Sequence, residues 1–579
     1  MNKQAIYHIP DSRYCFPTGT HELVLRLRMA KEDRGCRVYL VSASKYEFYQ
    51  ERTCQELSVA YTDSSFIYYE IHLTLTDVRF AYIFRIEEKG RILYYSEDGV
   101  TETYNFEESF YNFFQMPYVN ANDVMPTVEW MRGAVFYQIF VERFRMGNAK
   151  KDTSYLTMKW GEIPTPKSFA GGDLWGIIEK LDYIRSLGVT AVYLTPIFQS
   201  VSNHKYDIHD YYRVDPSFGD LETLKKLVFE AHKRGMRVVL DAVFNHCSSS
   251  LKQFADVMEK GRKSEYYRWF LIEGDFPETE PCNYECFAAC DYMPKLNTAN
   301  RQVQDFLIDI GLYWIREADI DGWRLDVSDE VSHDFWRRFR KAIKNQKEDC
   351  VLIGENWHDA YAYLRGDQFD SIMNYSFTKA CLDYFAWDRL DAKAMAERLS
   401  GNYVRNTEPV NYMMLNLLDS HDTLRFYTET GCRVNRLIAA LALEMVYPGA
   451  VCLYYGTEIP MEGGYDPDSR RCFPWEESAG DINLVAQIRT LSALRKNPVI
   501  QYGTLRLSEE QGLLCVRRIY KGDEVRLFVN MTESPVEMKD TNLRLPETAA
   551  WNLYSTTNNQ LEPEGYLIVE GQIKKEEMQ

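Results

Sequence analysis

Four short stretches of the sequence set acids beside groups that handle protons or charge. They are Asp241-Ala-Val-Phe-Asn245-His246, Arg324-Leu-Asp326, Glu355-Asn-Trp357 and Ser420-His421-Asp422, each at the end of an apolar run. The i, i+2 spacing of Arg324 and Asp326 puts guanidinium and carboxylate on one face of an extended chain. Three carboxylates converging without a basic cluster suit glycosidic bond cleavage, with one nucleophile, one acid/base and one electrostatic helper. Asp326, next to Arg324, is expected to keep a low pKa and stay ionised, as a nucleophile must. Glu355, between an apolar strand and Trp357, has the partly desolvated surroundings that a general acid needs. One such acid alone is equally a solvated strand end or a helix N-cap. Three in register with successive strands are not.

These positions require a scaffold. From Ala134 onward, apolar strands alternate with amphipathic helices, and eight strand candidates follow in order: AVFYQIF, VTAVYLTPIF, RVVLDAVFNH, DGWRLDV, VLIGEN, FDSIMNYSF, MMLNLLDSHD and AVCLYYGTE. Helices are expected over 173–187, 221–234, 303–316, 335–344 and 434–446. Continuous apolar runs separated by helices mean buried parallel strands, and eight such units fit a (β/α)8 TIM barrel. A doubly wound open sheet is the alternative, though it normally stops at five to seven strands. Between His246 and the next helix lie about 55 residues, an insertion long enough to be a functional subdomain.

Residues 1–120 alternate in polarity over short runs (HELVLRLRM, CRVYLVSA, SFIYYEIHLTL, FAYIFRIEE, RILYYSE), which predicts an N-terminal β-sandwich. Short strands return near the C-terminus (GTLRLSE, GLLCVRRIY, EVRLFVNM, AAWNLYS, GYLIVEG). The expected division is therefore a sandwich at 1–120, a barrel at 121–496 containing an inserted loop subdomain at 247–300 after strand 3, and a C-terminal β-sandwich domain at 497–579.

The 579 residues carry a formal charge of −18, which argues against nucleic acid or an anionic membrane as partner. No window is apolar enough for a membrane span, and the start MNKQAIYHIPDSRYC has no apolar secretory core. With 13 scattered cysteines and no export signal, the expectation is a reducing cytoplasm and free thiols.

The motifs DAVFNH, GWRLDV, GENW and LLDSHDT resemble the four ordered signatures of the α-amylase family, glycoside hydrolase family 13. The likeness extends to GGDLWGIIEKLDYIRSLGVTAVYLTPIF, SNHKYDIHDYY and GGYDPDSRRCFPW. MPKLN is similar to a signature of the neopullulanase, cyclomaltodextrinase and maltogenic amylase group, and the chain's start is similar to that group's starch-binding-type module. The resemblance implies Asp326 as nucleophile, Glu355 as acid/base and Asp422 as transition-state stabiliser. It further implies that His246 and His421 bond the same sugar, that Tyr206 stacks beneath it, and that Arg324 orients the nucleophile, with Asp241 counted among the substrate-binding residues. Glu330, with His333, and Trp357 would shape the side across the scissile bond; each is equally readable as packing or a helix start. The implied substrates are α-1,4-linked cyclodextrins, maltooligosaccharides and pullulan, cleaved with retention and some transglycosylation. An α-1,6-specific oligosaccharidase and a non-catalytic glucan-binding or transporter-associated relative are the alternatives. The group also implies a homodimer through the N-terminal module.

No redox or organic cofactor is implied. Members of the group often hold calcium after the first strand, where this chain reads Phe144-Arg-Met146-Gly-Asn148-Ala-Lys150-Lys151-Asp152, with Asp173 downstream. Asn148, Asp152 and Asp173 offer oxygens, but Met146 replaces the first ligand and two lysines add positive charge, which disfavours calcium. A lysine ammonium is the alternative occupant. Cys282, Cys286 and Cys290 in CNYECFAACDYMPKLN lack a fourth soft ligand nearby, so they are expected to pack as small buried apolar groups rather than bind metal.

Overall fold

The strands that carry the acids are buried on both faces, so each reads as an unbroken apolar run. The computed structural model describes residues 1–108, 110–475, 482–538, 554–555 and 559–572. The barrel strands are β1 (Val135–Ile139), β2 (Ala191–Leu194), β3 (Arg237–Ala242), β4 (Gly322–Leu325), β5 (Val351–Gly354), β6 (Ser371–Ile372), β7 (Leu415–Leu417) and β8 (Ala450–Tyr454). They pair in parallel in the spatial order β6-β5-β4-β3-β2-β1-β8-β7. A parallel bridge from Met373 to Leu415 then joins the two ends of that order and closes the barrel.

The helices lie where apolar periodicity puts them. They are α1 (Leu174–Ser186), α2 (Leu221–Lys233), α3 (Arg301–Ala318), α4 (His333–Gln346) and α5 (Val434–Val446). Side-chain caps set the starts of α1, α2 and α3: Asp173 accepts from Gly176 N, Asp220 from Thr223 N and Asn300 from Gln302 N. α3 ends on Asp319 in the left-handed region.

The structure divides into two compact units. One holds Met1–Thr127 with Leu390–Asn411 and Thr504–Arg517; the other holds Val128–Arg389, Tyr412–Gly503 and Arg518–Gln579. In the first, antiparallel strands such as Glu22–Ala30 and Phe66–Thr74 pair in unbroken register, and alternate residues Leu23, Leu25 and Leu27 join Val38, Leu40, Tyr82 and Phe84 in one core. Helix Ala392–Val404 belongs to this unit although it follows β6 in the chain. In the second unit Asp523–Val529 pairs antiparallel with Tyr566–Gln572. The expected strand at 549–555 lies outside the described residues except for Tyr554 and Ser555.

Candidate active site

The parallel register of β3 and β4 sets Asp241 directly beside Arg324, and the i, i+2 step brings Asp326 to the same face. Arg324 Nη1 donates to Asp326 Oδ1 at 2.7 Å and to both Asp241 oxygens at 3.1 Å. Its Nη2 stands 3.0 Å from Glu355 Oε1 and 3.9 Å from Asp422 Oδ2. One buried guanidinium therefore gathers all four acids from the ends of β3, β4, β5 and β7. Glu355 also accepts the backbone N–H of Val327 at 2.9 Å.

Around this centre, Tyr206 Oη donates to Asp241 Oδ2 at 3.0 Å and meets His421 Nε2 at 2.6 Å, with its ring parallel to the imidazole. Tyr193 adds a second hydroxyl to Asp241 Oδ2 at 2.7 Å. Gln138 Nε2 lies 2.7 Å from His421 Nδ1, which directs Nε2 of that ring toward Tyr206 and Asp422. His246 is buried, stacks on Phe287 and leaves its Nε2 without a protein partner. Asp326 Oδ2 is likewise buried and unpartnered.

Burial dominates the electrostatics. It drives the Asp326 carboxyl well above the usual range; Arg324 opposes this, while Glu355, Asp241 and Asp422 push it further up. The expected low pKa for Asp326 is therefore not found, because a single arginine serves several acids in a desolvated cup. Burial also pushes Asp241 up to about 6 against Arg324. Both histidines are held neutral by burial, His246 at about 3 and His421 well below its ordinary value.

The MPKLN segment closes on this mouth. Lys295 Nζ bonds Asn245 Oδ1 and pairs with Glu330 Oε2 at 2.9 Å, while Leu296 N donates to the Asn245 carbonyl at 2.9 Å. Glu330 is otherwise exposed. Trp357 is 44% exposed and stacks face to face on Tyr375 at 3.7 Å, so one indole face remains open to a ligand. His333 instead packs on Tyr363 and meets Gln368 Oε1, away from the acids' hydrogen bonds.

The cysteines depart from expectation. Cys282 is exposed, Cys286 and Cys290 are half-buried, and all thirteen thiols are free. Tyr284 and Met293 take the buried positions of that turn instead. Asp173 caps α1, and Asp152 and Asn148 are occupied by their own turn, through Ser154 and the Lys150 N–H.

Sequence reasoning missed Arg470, whose Nη2 reaches Asp422 Oδ1 at 3.2 Å and whose Nε donates to the His421 carbonyl at 2.8 Å. Its signal was the Asp-Pro-Asp-Ser-Arg-Arg run within GGYDPDSRRCFPW, a charge cluster in a long loop after β8.

Residues 138–488 match the α-amylase catalytic domain and residues 1–120 the α-amylase N-terminal Ig-like domain. The chain belongs to the α-amylase family. Among its relatives, a cyclomaltodextrinase of Thermoanaerobacter pseudethanolicus is 40% identical over 558 residues, covering 94% of this chain and 97% of that one. Neopullulanase 2 of Thermoactinomyces vulgaris is 42% identical over 502 residues, covering 86% and 84%. A solved cyclomaltodextrinase structure superposes with a TM-score of 0.88 at 35% identity, covering 99% of this chain and 98% of that one. The α-amylase family site is thus a glycoside hydrolase centre on a (β/α)8 barrel. Among the described residues no helix is long and apolar enough to cross a membrane.

Proposed function

We propose that this α-amylase family member hydrolyses α-1,4-glucosidic bonds of cyclodextrins, maltooligosaccharides and pullulan with retention of configuration, and transfers part of the cleaved sugar to acceptors. The observation that carries the reading is Arg324, which holds Asp326 on one Nη and Glu355 on the other. Their shared contact supports the shorter carboxyl separation of a retaining pair, about 5–5.5 Å, over the about 6.5–9.5 Å of an inverting one.

In this mechanism Asp326 attacks the anomeric carbon through its unpartnered Oδ2, while Glu355 protonates the leaving oxygen. Attack requires the ionised form of Asp326, which the Arg324 guanidinium favours against burial and the neighbouring acids. His246 Nε2, His421 and Asp422 bond the hydroxyls of the sugar held over Tyr206. Water then enters where the leaving group stood; its oxygen bonds the anomeric carbon as Glu355 takes its proton and the bond to Asp326 breaks.

The thirteen free thiols support a reducing, cytoplasmic setting. Exposed Tyr46, Tyr49, Phe110 and Tyr111 give the N-terminal module apolar surface, which supports a homodimer through that module. Sedimentation of the protein and of a Tyr46→Ser, Tyr111→Ser variant checks this; a monomeric wild type refutes it. No nucleic acid is expected as partner at a net charge of −18.

The central experiment is reducing-sugar release from β-cyclodextrin, pullulan, starch and isomaltose, with Asp326→Asn as control. Release from the first two that the variant loses by about 10³-fold or more is expected. No release from any substrate refutes the proposal, and release chiefly from isomaltose reassigns it to α-1,6 bonds.

A further inference from the structure

We infer that the Lys151 ammonium is a tethered structural cation, standing where calcium would lie between the loop after β1 and the start of α1, so that this fold needs no dication there. Lys151 Nζ lies 3.0 Å from Asp173 Oδ2 and 3.1 Å from the Ser217 carbonyl, and it also bonds the Gly171 carbonyl. Its side chain is 6% exposed.

Asp173 has no oxygen to spare. Oδ1 accepts from Gly147 N at 2.9 Å and Gly176 N at 2.8 Å, and Oδ2 from Asn148 N at 3.1 Å as well as from the ammonium. The remaining oxygens are turned elsewhere. Asn148 Oδ1 accepts from Lys150 N, and both Asp152 oxygens accept from Ser154. Calcium requires six to eight oxygens at about 2.3–2.6 Å. This donor set does not fit it, because a positive charge already sits against the one buried carboxylate. The backbone leaves no slack either: a Cβ on Gly147 would stand 2.3 Å from Gly176 N, and one on Gly176 would stand 2.1 Å from the Arg145 carbonyl.

A second ammonium continues the device toward the active site. Lys205 Nζ pairs with Asp215 Oδ2 at 2.9 Å and reaches the Ser200 carbonyl at 3.3 Å. Ser217 joins the two, since its carbonyl takes Lys151 while its N–H and hydroxyl donate to Asp215 Oδ1. Lys205, at φ 63°, directly precedes Tyr206. The paired lysines therefore connect the first loop of the barrel to the residue beneath the proposed sugar site, and two monovalent charges fixed to the chain perform the ordering that an exchangeable ion would otherwise perform.

The test compares melting temperature and β-cyclodextrin turnover of the full chain, treated with EDTA and then titrated with calcium, for the wild type, Lys151→Met and Lys151→Ser. The wild type is expected to keep both values in EDTA and to gain nothing from calcium. Lys151→Met should melt roughly 5–10 °C lower, as expected for a buried carboxylate stripped of its partner. Lys151→Ser, which frees Asp173 and leaves room, should recover part of that loss when calcium is added. A wild type that loses stability in EDTA or gains it from calcium would overturn the inference, as would a Lys151→Met protein that melts with the wild type. The wild-type arm requires no variant to fold.

Discussion

Val327 gives its backbone N–H to Glu355 Oε2 at 2.9 Å while sitting at φ 44°, ψ 45°, a left-handed conformation that a β-branched residue rarely adopts. The strain, about 1–3 kcal/mol, is held immediately after Asp326, where it aims an amide at the neighbouring acid. Val327→Gly removes the strain but also the stiffness. The melting temperature of this variant should stay close to that of the wild type while kcat falls about tenfold, since a loosened Glu355 loses its aim at the leaving oxygen. Equal kcat in a stopped assay would show that the amide does not position Glu355.

Asp241 shares Arg324 with Asp326, and burial holds both carboxyls high. Taking away the Asp241 charge makes it easier for Asp326 to ionise. Asp241→Asn should therefore move the acid limb of the kcat/KM profile to lower pH, by about one unit. Its kcat should fall as well, because Arg324 loses a charged partner and one of the two accepting oxygens becomes a donor. A pH profile with an unmoved acid limb would show the two carboxyls to be electrically independent.

At the opposite end of the barrel Asp321 accepts from Val238 N at 2.9 Å, His232 Nε2 at 2.6 Å, Arg237 Nη1 at 2.8 Å and Lys347 Nζ at 3.0 Å. Burial raises its pKa, yet the His232 bond, the Lys347 charge and the Val238 amide outweigh that and hold it at about 2. The folded value lies below the unfolded one of about 3.9, so the stabilisation is present above that pH and lost as pH falls toward 2. It amounts to roughly 2–3 kcal/mol. Thermal melts between pH 7 and 3 should show the wild type losing stability steeply on the acid side. Asp321→Asn should start about 3 kcal/mol lower and change less.

Maleimide labelling should distinguish the cysteines by position. Cys54, Cys282 and Cys432 are exposed and should react in the native protein, Cys286 and Cys290 more slowly, and the eight buried thiols only after unfolding. Peptide mapping reads this directly. Protection of Cys282 in the native state would contradict its placement at the surface of the inserted loop.

How far the sequence reached depended on whether position followed from local pattern. The barrel acids were legible because each ends an apolar strand, and the Arg324–Asp326 face followed from strand periodicity alone. The strand Thr53–Thr62 was not anticipated; its first half is exposed and polar, so it carries no alternation to read. The sixth barrel strand was expected over nine residues and spans two, because the helix Tyr375–Cys381 takes over the apolar tail. Arg470 was illegible for another reason, since 48 residues separate it from Asp422 and only tertiary folding brings them together. The Asp326 pKa was misjudged because pairing is visible in sequence, whereas depth of burial and the sharing of one arginine are not.

A cup with four carboxyls around one guanidinium also acts as a filter for ligands. Neutral glucose units enter without electrical cost, whereas uronates or phosphorylated sugars would bring anions into an already negative, desolvated space. A ring carrying a cationic nitrogen at the anomeric position would meet the reverse, an attraction that no neutral sugar experiences. The centre thus discriminates by sign of charge before any hydroxyl is read.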